Sequence, residues 1–211
     1  MKAVSTILLS GLFVLCSCGQ PAQKEAVKAD EGKNPVIENI MARRSIRKYK
    51  DQPVEREKLQ QIVECGINAP SGMNQQPWEV RVVDNADYIN GITEIYKKAN
   101  PKAAEDPDFK NMFRNGAAVI FVASPKNGSG QLDCGLLGEN MMLAALSLDL
   151  GTCCLGGPIR FMKSNEEAAP YLQKLEFSDD YELLYALAVG YPDEAPAAKP
   201  RNVEKVKFIE L

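Results

Sequence analysis

Arg43-Arg44-Ser45-Ile46-Arg47-Lys48-Tyr49 places four cations and a serine hydroxyl within seven residues. Upstream, Asn34-Pro35 has the chemistry of a helix start, Asn as the capping residue and Pro at the first helical position. Val36, Ile37, Ile40 and Met41 then mark one face at helical spacing. The cations therefore fall at the C-terminal end of a helix, where they complement the negative end of its dipole. Taken alone, such a cluster reads as a solvated helix end. It is also a seat for a small anion, provided that other segments supply matching donors. A polyanion is a poor fit, because the chain of 211 residues carries a net charge of −3 and has no domain-wide basic excess.

Toward the N-terminus, Lys2 and the short apolar run 7–15 have the layout of an export signal. The run falls short of the about 20 apolar residues that span a bilayer. Leu15-Cys16-Ser17-Cys18 is similar to a bacterial lipobox, which implies a signal peptide over 1–17 and a lipid on the Cys18 sulfur. Residues 18–33 are polar, without hydrophobic period, and read as a flexible tether. The expectation is an exported, membrane-anchored lipoprotein with one domain over 34–211. Cys65, Cys134, Cys153 and Cys154 remain in that domain; Cys65 and Cys134 lie in apolar helical patterns and are expected as buried free thiols. With no CxxC pair among these four and no histidine in the chain, a zinc site has no ligand set.

Downstream, the pattern predicts a helix over 55–69 with Leu59, Ile62, Val63 and Ile67 inward, then a polar loop over 70–77. A half-buried strand over 78–83 and a helix over 85–99 follow. Residues 100–115 read as irregular, with Phe109 and Phe113 exposed. A fully apolar strand is expected over 117–123, and an apolar helix covered on most sides over 135–150. A short strand at 152–155 ends in Gly156-Gly157-Pro158. A surface helix kinked at Pro170 occupies 165–175, and a strand 182–191. An extended segment runs over 192–200, and a last strand over 203–211. Strands separated by helices without a regular βαβ repeat imply a sheet with helices on both faces. No GxGxxG follows a strand, and Walker A, GxSxG and HExxH are absent.

Without histidine, Ser-His and Cys-His catalytic pairs are excluded, and no catalytic side chain stands out. Polar chemistry concentrates in Arg43, Arg44, Ser45 and Arg47; in Ser71 to Gln76; at Leu155, Gly156 and Gly157; and at Lys199 and Arg201. These are binding elements, and they suggest that a cofactor carries the reaction. Arginines take phosphate through bidentate, charge-assisted bonds, and Ser45 adds a donor. Lys199 and Arg201, two apart on an extended segment, point the same way and can close on the same anion. Gly156-Gly157 lets backbone N–H groups approach a planar ligand edge.

In order and spacing these segments resemble the FMN-dependent nitroreductase family. The matches are Arg43 to Tyr49; Ala69-Pro70-Ser71-Gly72-Met73-Asn74-Gln75-Gln76-Pro77-Trp78; Glu139-Asn140-Met141-Met142-Leu143-Ala144-Ala145; Leu150-Gly151-Thr152-Cys153-Cys154-Leu155-Gly156-Gly157; and Gly190-Tyr191-Pro192 with Lys199-Pro200-Arg201. The resemblance implies an α+β fold, three layers α/β/α around an antiparallel-rich sheet, in a homodimer that exchanges C-terminal segments. It implies that Arg43, Arg44 and Ser45 hold the FMN phosphate with Lys199 and Arg201, that Arg47 lies at the N1/O2 edge, and that Leu155, Gly156 and Gly157 line the N5 edge. Pro70, Ser71 and Asn74 would come from the partner subunit, Asn74 offering the donor and acceptor that the pyrimidine ring requires. The implied activity is ping-pong hydride transfer through N5 from NADH or NADPH to a nitroaromatic, quinone or similar small-molecule acceptor. A flavin carrier without turnover, or a dehydrogenase of a specialised substrate, is the alternative. The 100–115 segment, with Phe109 and Phe113, is expected as a pocket lid. Cys154 departs from the family pattern, standing where a larger residue is usual, and is expected to pack in the core. The export signal conflicts with a nicotinamide donor, which is cytoplasmic.

Overall fold

The computed structural model describes residues 34–210. The expected signal peptide, Cys18 and the tether lie outside the described residues, as does Leu211. Among the described residues, four strands form one antiparallel sheet: β1 (Glu79–Val83), β2 (Ala118–Pro125), β3 (Gly151–Leu155) and β4 (Tyr181–Gly190), in the order β1-β2-β4-β3. The central strand β2 is buried from Ala118 to Ser124 because both faces of the sheet are covered. Val119 and Phe121 enter one apolar cluster, while Ala118, Ile120 and Val122 enter the other. That two-sided burial is why β2 reads as a continuous apolar run rather than an alternation.

One face carries α2 (Arg56–Ile67) and α5 (Gln131–Ser147), with Leu59, Ile62, Cys134, Leu137, Met141 and Ala145 buried against the sheet. Outside them lies α1 (Pro35–Ala42), tied to α5 by the Asn39 amide donating to the Leu143 carbonyl at 3.0 Å. The other face carries α3 (Ala86–Ala99), α6 (Gly157–Ser164) and α7 (Ala169–Gln173), burying Ile89, Ile92, Ile159 and Met162. This is the expected three-layer arrangement. The start of α3 is fixed by the Asn85 side chain, which accepts from the Tyr88 N–H at 2.8 Å, and its last turn carries Lys97 and Lys98.

In β4, Val122 and Ala123 of β2 pair with Tyr185 and Leu183, so Leu184 is an extra residue. Leu184 and Tyr185 consequently face the same α5-side cluster in succession. The bulge aims the Tyr185 hydroxyl at the Cys134 carbonyl, 2.5 Å away on α5.

Several expectations are corrected. Residues 100–115 are not wholly irregular: Pro101 starts the short helix α4 (Pro101–Glu105). Gly157-Pro158 opens α6 instead of ending in a turn, and Pro170 sits in the first turn of α7 rather than kinking a longer helix. α5 begins at Gln131, after Gly130 in the left-handed region (φ 80°). Its outer side, with Leu132 and Leu136, is exposed in the single chain, as is Ile67 of α2. The strand expected over 203–211 is absent among the described residues; Val203–Lys205 is a 3-10 turn, and the residues after it pair with no strand.

Candidate functional site

The cationic stretch is laid between β3 and the chain leaving β4. The Ile46 N–H donates to the Thr152 carbonyl at 2.9 Å, and the Lys50 N–H to the Tyr191 carbonyl at 2.9 Å. The Asp193 N–H returns a bond to the Lys48 carbonyl, also at 2.9 Å. Two side chains of the stretch, Ile46 and Tyr49, are buried beneath it. They fit because Gly151 and Gly190, direct partners across β3 and β4, have no side chains. A Cβ on Gly151 would stand 2.7 Å from Ile46 Cγ1, and one on Gly190 2.8 Å from Tyr49 Cδ1. The Tyr49 hydroxyl donates to the Ile46 carbonyl at 2.7 Å, and burial pushes the phenol's pKa far up, so it stays a donor. With Ile46 and Tyr49 anchored inward, Arg47 and Lys48 are left exposed between them.

There the stretch meets the C-terminal arm. A pocket of about 130 Å³ is lined by Arg43, Arg44, Ser45, Arg47, Pro196, Ala197, Lys199 and Arg201. The five residues expected at the anion, and Arg47 expected at the pyrimidine edge, are thus brought together across roughly 150 residues of sequence. Arg44 is held by its own helix, Nη1 donating to the carbonyls of Met41 (2.6 Å) and Arg43 (2.8 Å), which satisfies an open carbonyl at the end of α1. Arg47 Nη1 donates to the Ser45 carbonyl (3.2 Å) and Arg201 Nη1 to the Lys199 carbonyl (2.8 Å). Arg43 Nε lies 3.2 Å from Glu139 Oε1 on α5. Among the described residues no carboxylate lies within 4.0 Å of the Arg44, Arg47, Lys199 or Arg201 charged nitrogens. Like charges gathered this way repel, and an anion between them removes the repulsion. A larger cavity, about 550 Å³, shares Arg43 and Arg44 and extends past Met142, Leu146, Tyr191 and Glu194.

The other expected residues lie elsewhere. Leu155 is buried at the end of β3; Gly156 and Gly157 are exposed, and a Cβ on either would meet nothing within 4 Å. Pro70, Ser71 and Asn74 sit on a loop that does not line the cationic pocket of its own chain. That loop is unusual: Met73, Asn74 and Gln76 are all in the left-handed region, at φ 50°, 55° and 49°. Ser71 Oγ holds it by accepting from the Gln76 N–H at 3.0 Å.

The lid expectation fails for its aromatics. Phe113 is fully buried, edge-on to Phe121 at 5.6 Å, and Phe109 stacks on Tyr96 at 5.7 Å, so they belong to the core. Cys154 is exposed, not packed, and so is Cys65; Cys134 and Cys153 are buried, and all four are free thiols. Burial raises the Cys153 pKa, against the pull of Arg47 and Arg114. Sequence reasoning gave Glu139 no role beyond its place in a matching segment, and missed Glu194. Glu194 accepts from the backbone N–H groups of both Arg47 and Lys48. Nothing in its local sequence marks it, since only the fold brings residue 194 to residue 47.

The profile of the Nitroreductase family matches residues 40–191. The chain belongs to the nitroreductase family. The match takes in the cationic stretch, the 70–77 loop and β3, and stops before Lys199 and Arg201, whose place rests on the pocket geometry. An FMN reductase (NAD(P)H) of Bacillus subtilis is 29% identical over 187 residues, spanning 80% of this chain and 70% of that protein. Two solved nitroreductases with bound FMN share the fold. That of Desulfitobacterium hafniense has a TM-score of 0.71 and that of Bacteroides fragilis 0.69; each is 25% identical and covers 84% of this chain and 100% of its own.

Proposed function

We propose that this nitroreductase family member is an FMN-dependent oxidoreductase that takes electrons from NADH or NADPH and passes them to a nitroaromatic, quinone or similar small acceptor. The observation that carries the reading is the convergence of Arg43, Arg44, Ser45 and Arg47 with Lys199 and Arg201 on one pocket. At about 130 Å³ it is smaller than the roughly 300–1,000 Å³ of a whole small-molecule site, and so suits one charged end of a ligand. Its walls offer guanidinium, ammonium and hydroxyl donors, the set that a phosphate monoester requires.

FMN, when bound, supplies a two-electron acceptor and donor at N5. The chain's part is binding and orientation. Arg43, Arg44, Ser45, Lys199 and Arg201 hold the phosphate, and Arg47 offers its charge to the pyrimidine edge. Leu155, Gly156 and Gly157 leave the other edge of the ring open to approach. Protons come from solvent, so the absence of histidine is no obstacle. Pro70, Ser71 and Asn74 complete the site from the partner subunit of a homodimer. Exposure of Ile40 and Met41 on α1 and of Leu132 and Leu136 on α5 supports that assembly. Export and anchoring through Cys18 are proposed separately, on the sequence of residues 2–18; an exported protein would draw its electrons from a donor other than the cytoplasmic nicotinamides. No helix among the described residues is long and apolar enough to cross a membrane.

The test is the visible spectrum of the purified protein, before and after NADH or NADPH and then after menadione. Bleaching by the nucleotide and recovery with the quinone are expected. A bound flavin bleached by neither nucleotide supports the carrier alternative, and protein that takes up no FMN refutes both. Replacing Cys18 by Ser abolishes incorporation of labelled palmitate if the anchor is as proposed.

A further inference from the structure

Glu194 stands outside the donor set but touches the stretch that builds it. Its Oε1 accepts from two successive peptide N–H groups, those of Arg47 and Lys48, the latter at 3.2 Å. Both donors face the carboxylate because the Asp193 N–H bonds the Lys48 carbonyl and the Lys50 N–H bonds the Tyr191 carbonyl, pinning the two chains side by side. A carboxylate bound by two backbone N–H groups forms charge-assisted bonds, stronger than those between neutral partners. Arg47 leaves this backbone to line the small pocket, while Glu194 lines the adjoining cavity together with Arg43 and Arg44. The carboxylate is thus bonded to the peptide of a pocket arginine rather than to any guanidinium.

We propose that Glu194 is a positioning residue for the pyrimidine end of the cofactor site: its carboxylate fixes the peptide from which Arg47 enters the pocket, without neutralising the guanidinium. The proposal rests on the FMN reading above. It assigns a job to the acidic start of the C-terminal arm, whose later residues Lys199 and Arg201 close the same pocket. One arm therefore provides both the clamp on the Arg47 backbone and the opposite wall.

The experiment titrates full-length apoprotein with FMN and with riboflavin, which lacks the phosphate, following flavin fluorescence in wild type, Glu194→Gln and Glu194→Ala. Glutamine keeps an oxygen able to accept from both N–H groups but has no charge; alanine removes the acceptor. The expected result is an FMN Kd raised about tenfold in the alanine variant and within about twofold of wild type in the glutamine variant, with riboflavin affinity changing in the same order because Arg47 serves the ring. An alanine variant binding FMN as tightly as wild type or more tightly overturns the proposal. So does a glutamine variant as weakened as alanine, or an alanine variant that loses FMN affinity while binding riboflavin as wild type does. Wild type that binds no FMN overturns the functional reading and this proposal with it, whereas wild type that binds and an alanine variant that matches it overturn the role of Glu194 alone.

Discussion

Replacing Gly151 by Ala tests whether the paired glycines under the cationic stretch set the geometry of the pocket. The added Cβ would stand 2.7, 2.8 and 3.0 Å from Cγ1, Cβ and Cγ2 of Ile46. Carbon atoms in contact settle at about 3.5–4.0 Å, so Ile46 must retreat by roughly 1 Å. Rotating its side chain moves Cγ1 and Cγ2 but not Cβ, so the backbone beside Ser45 has to yield. Overpacking of this kind costs about 1–3 kcal/mol, offset in part by about 0.4–1 kcal/mol from the less flexible unfolded chain. A net loss of about 1–2 kcal/mol is expected, read from urea unfolding of the apoprotein. FMN affinity falls with it, because Ser45 and Arg47 flank the displaced residue. Gly156→Ala is the control: its Cβ would meet nothing within 4 Å, and stability should hold to within about 0.5 kcal/mol. If Gly151→Ala is as stable as Gly156→Ala and binds FMN like wild type, the glycine pair does not position the stretch.

Arg201→Ala removes a charged donor from the pocket and should weaken FMN about ten- to a hundredfold with little change for riboflavin, measured by fluorescence titration. Arg47→Ala should make bound FMN harder to reduce, seen as a lower midpoint potential against a reference dye, whereas Lys48→Ala, which lines neither cavity, should leave it unchanged. Phe113→Ala should cost about 3–5 kcal/mol in urea unfolding without altering acceptor preference, because the ring is core and not lid. Burial, with Asp133 adding, pushes the Cys134 thiol up to about 11 from 9.0. The unfolded chain therefore ionises first: the stability contributed by the neutral thiol is full below about pH 9 and is lost as pH rises through about 11. Cys134→Ala should flatten that part of the alkaline decline when urea midpoints at pH 8 and pH 10.5 are compared.

Legibility in the sequence followed how locally each feature is determined. Helices α2 and α3 and strands β2 and β4 were readable because apolar spacing over many residues reports which faces are covered. The short helices were harder: α4 lay in a segment read as irregular, α6 after a strand end at Gly156-Gly157-Pro158, and α7 behind a kink expected at Pro170. Pro101, Pro158 and Pro170 all occupy first turns, where the missing N–H costs nothing. Apolar residues at 203, 206, 208 and 209 suggested a strand, but no neighbouring strand pairs with them in the single chain. The residue types of the anion pocket were legible, since arginines beside serine and a Lys-x-Arg pair carry their chemistry with them. What no local pattern encodes is the pairing of residue 46 with 152 and of 50 with 191, which puts Lys199 and Arg201 opposite Arg43. The roles of Glu139 and Glu194 stayed hidden for the same reason.

The pocket has one wall near the beginning of the folded domain and the other near its end. A ligand bound there acts as a latch on the C-terminal arm, whose residues 201–210 are exposed. The segment it closes is short, because the Asp193 N–H already holds the start of the arm to the Lys48 carbonyl, so the entropic cost of the contact is small. Cofactor loading then becomes a stability signal: at a hundred times Kd it adds about 2.7 kcal/mol to the folded state. Protein that leaves synthesis without FMN would keep its sheet and helices but offer a loose arm to proteases, so limited proteolysis near residue 200 distinguishes empty from loaded molecules before any electron has moved.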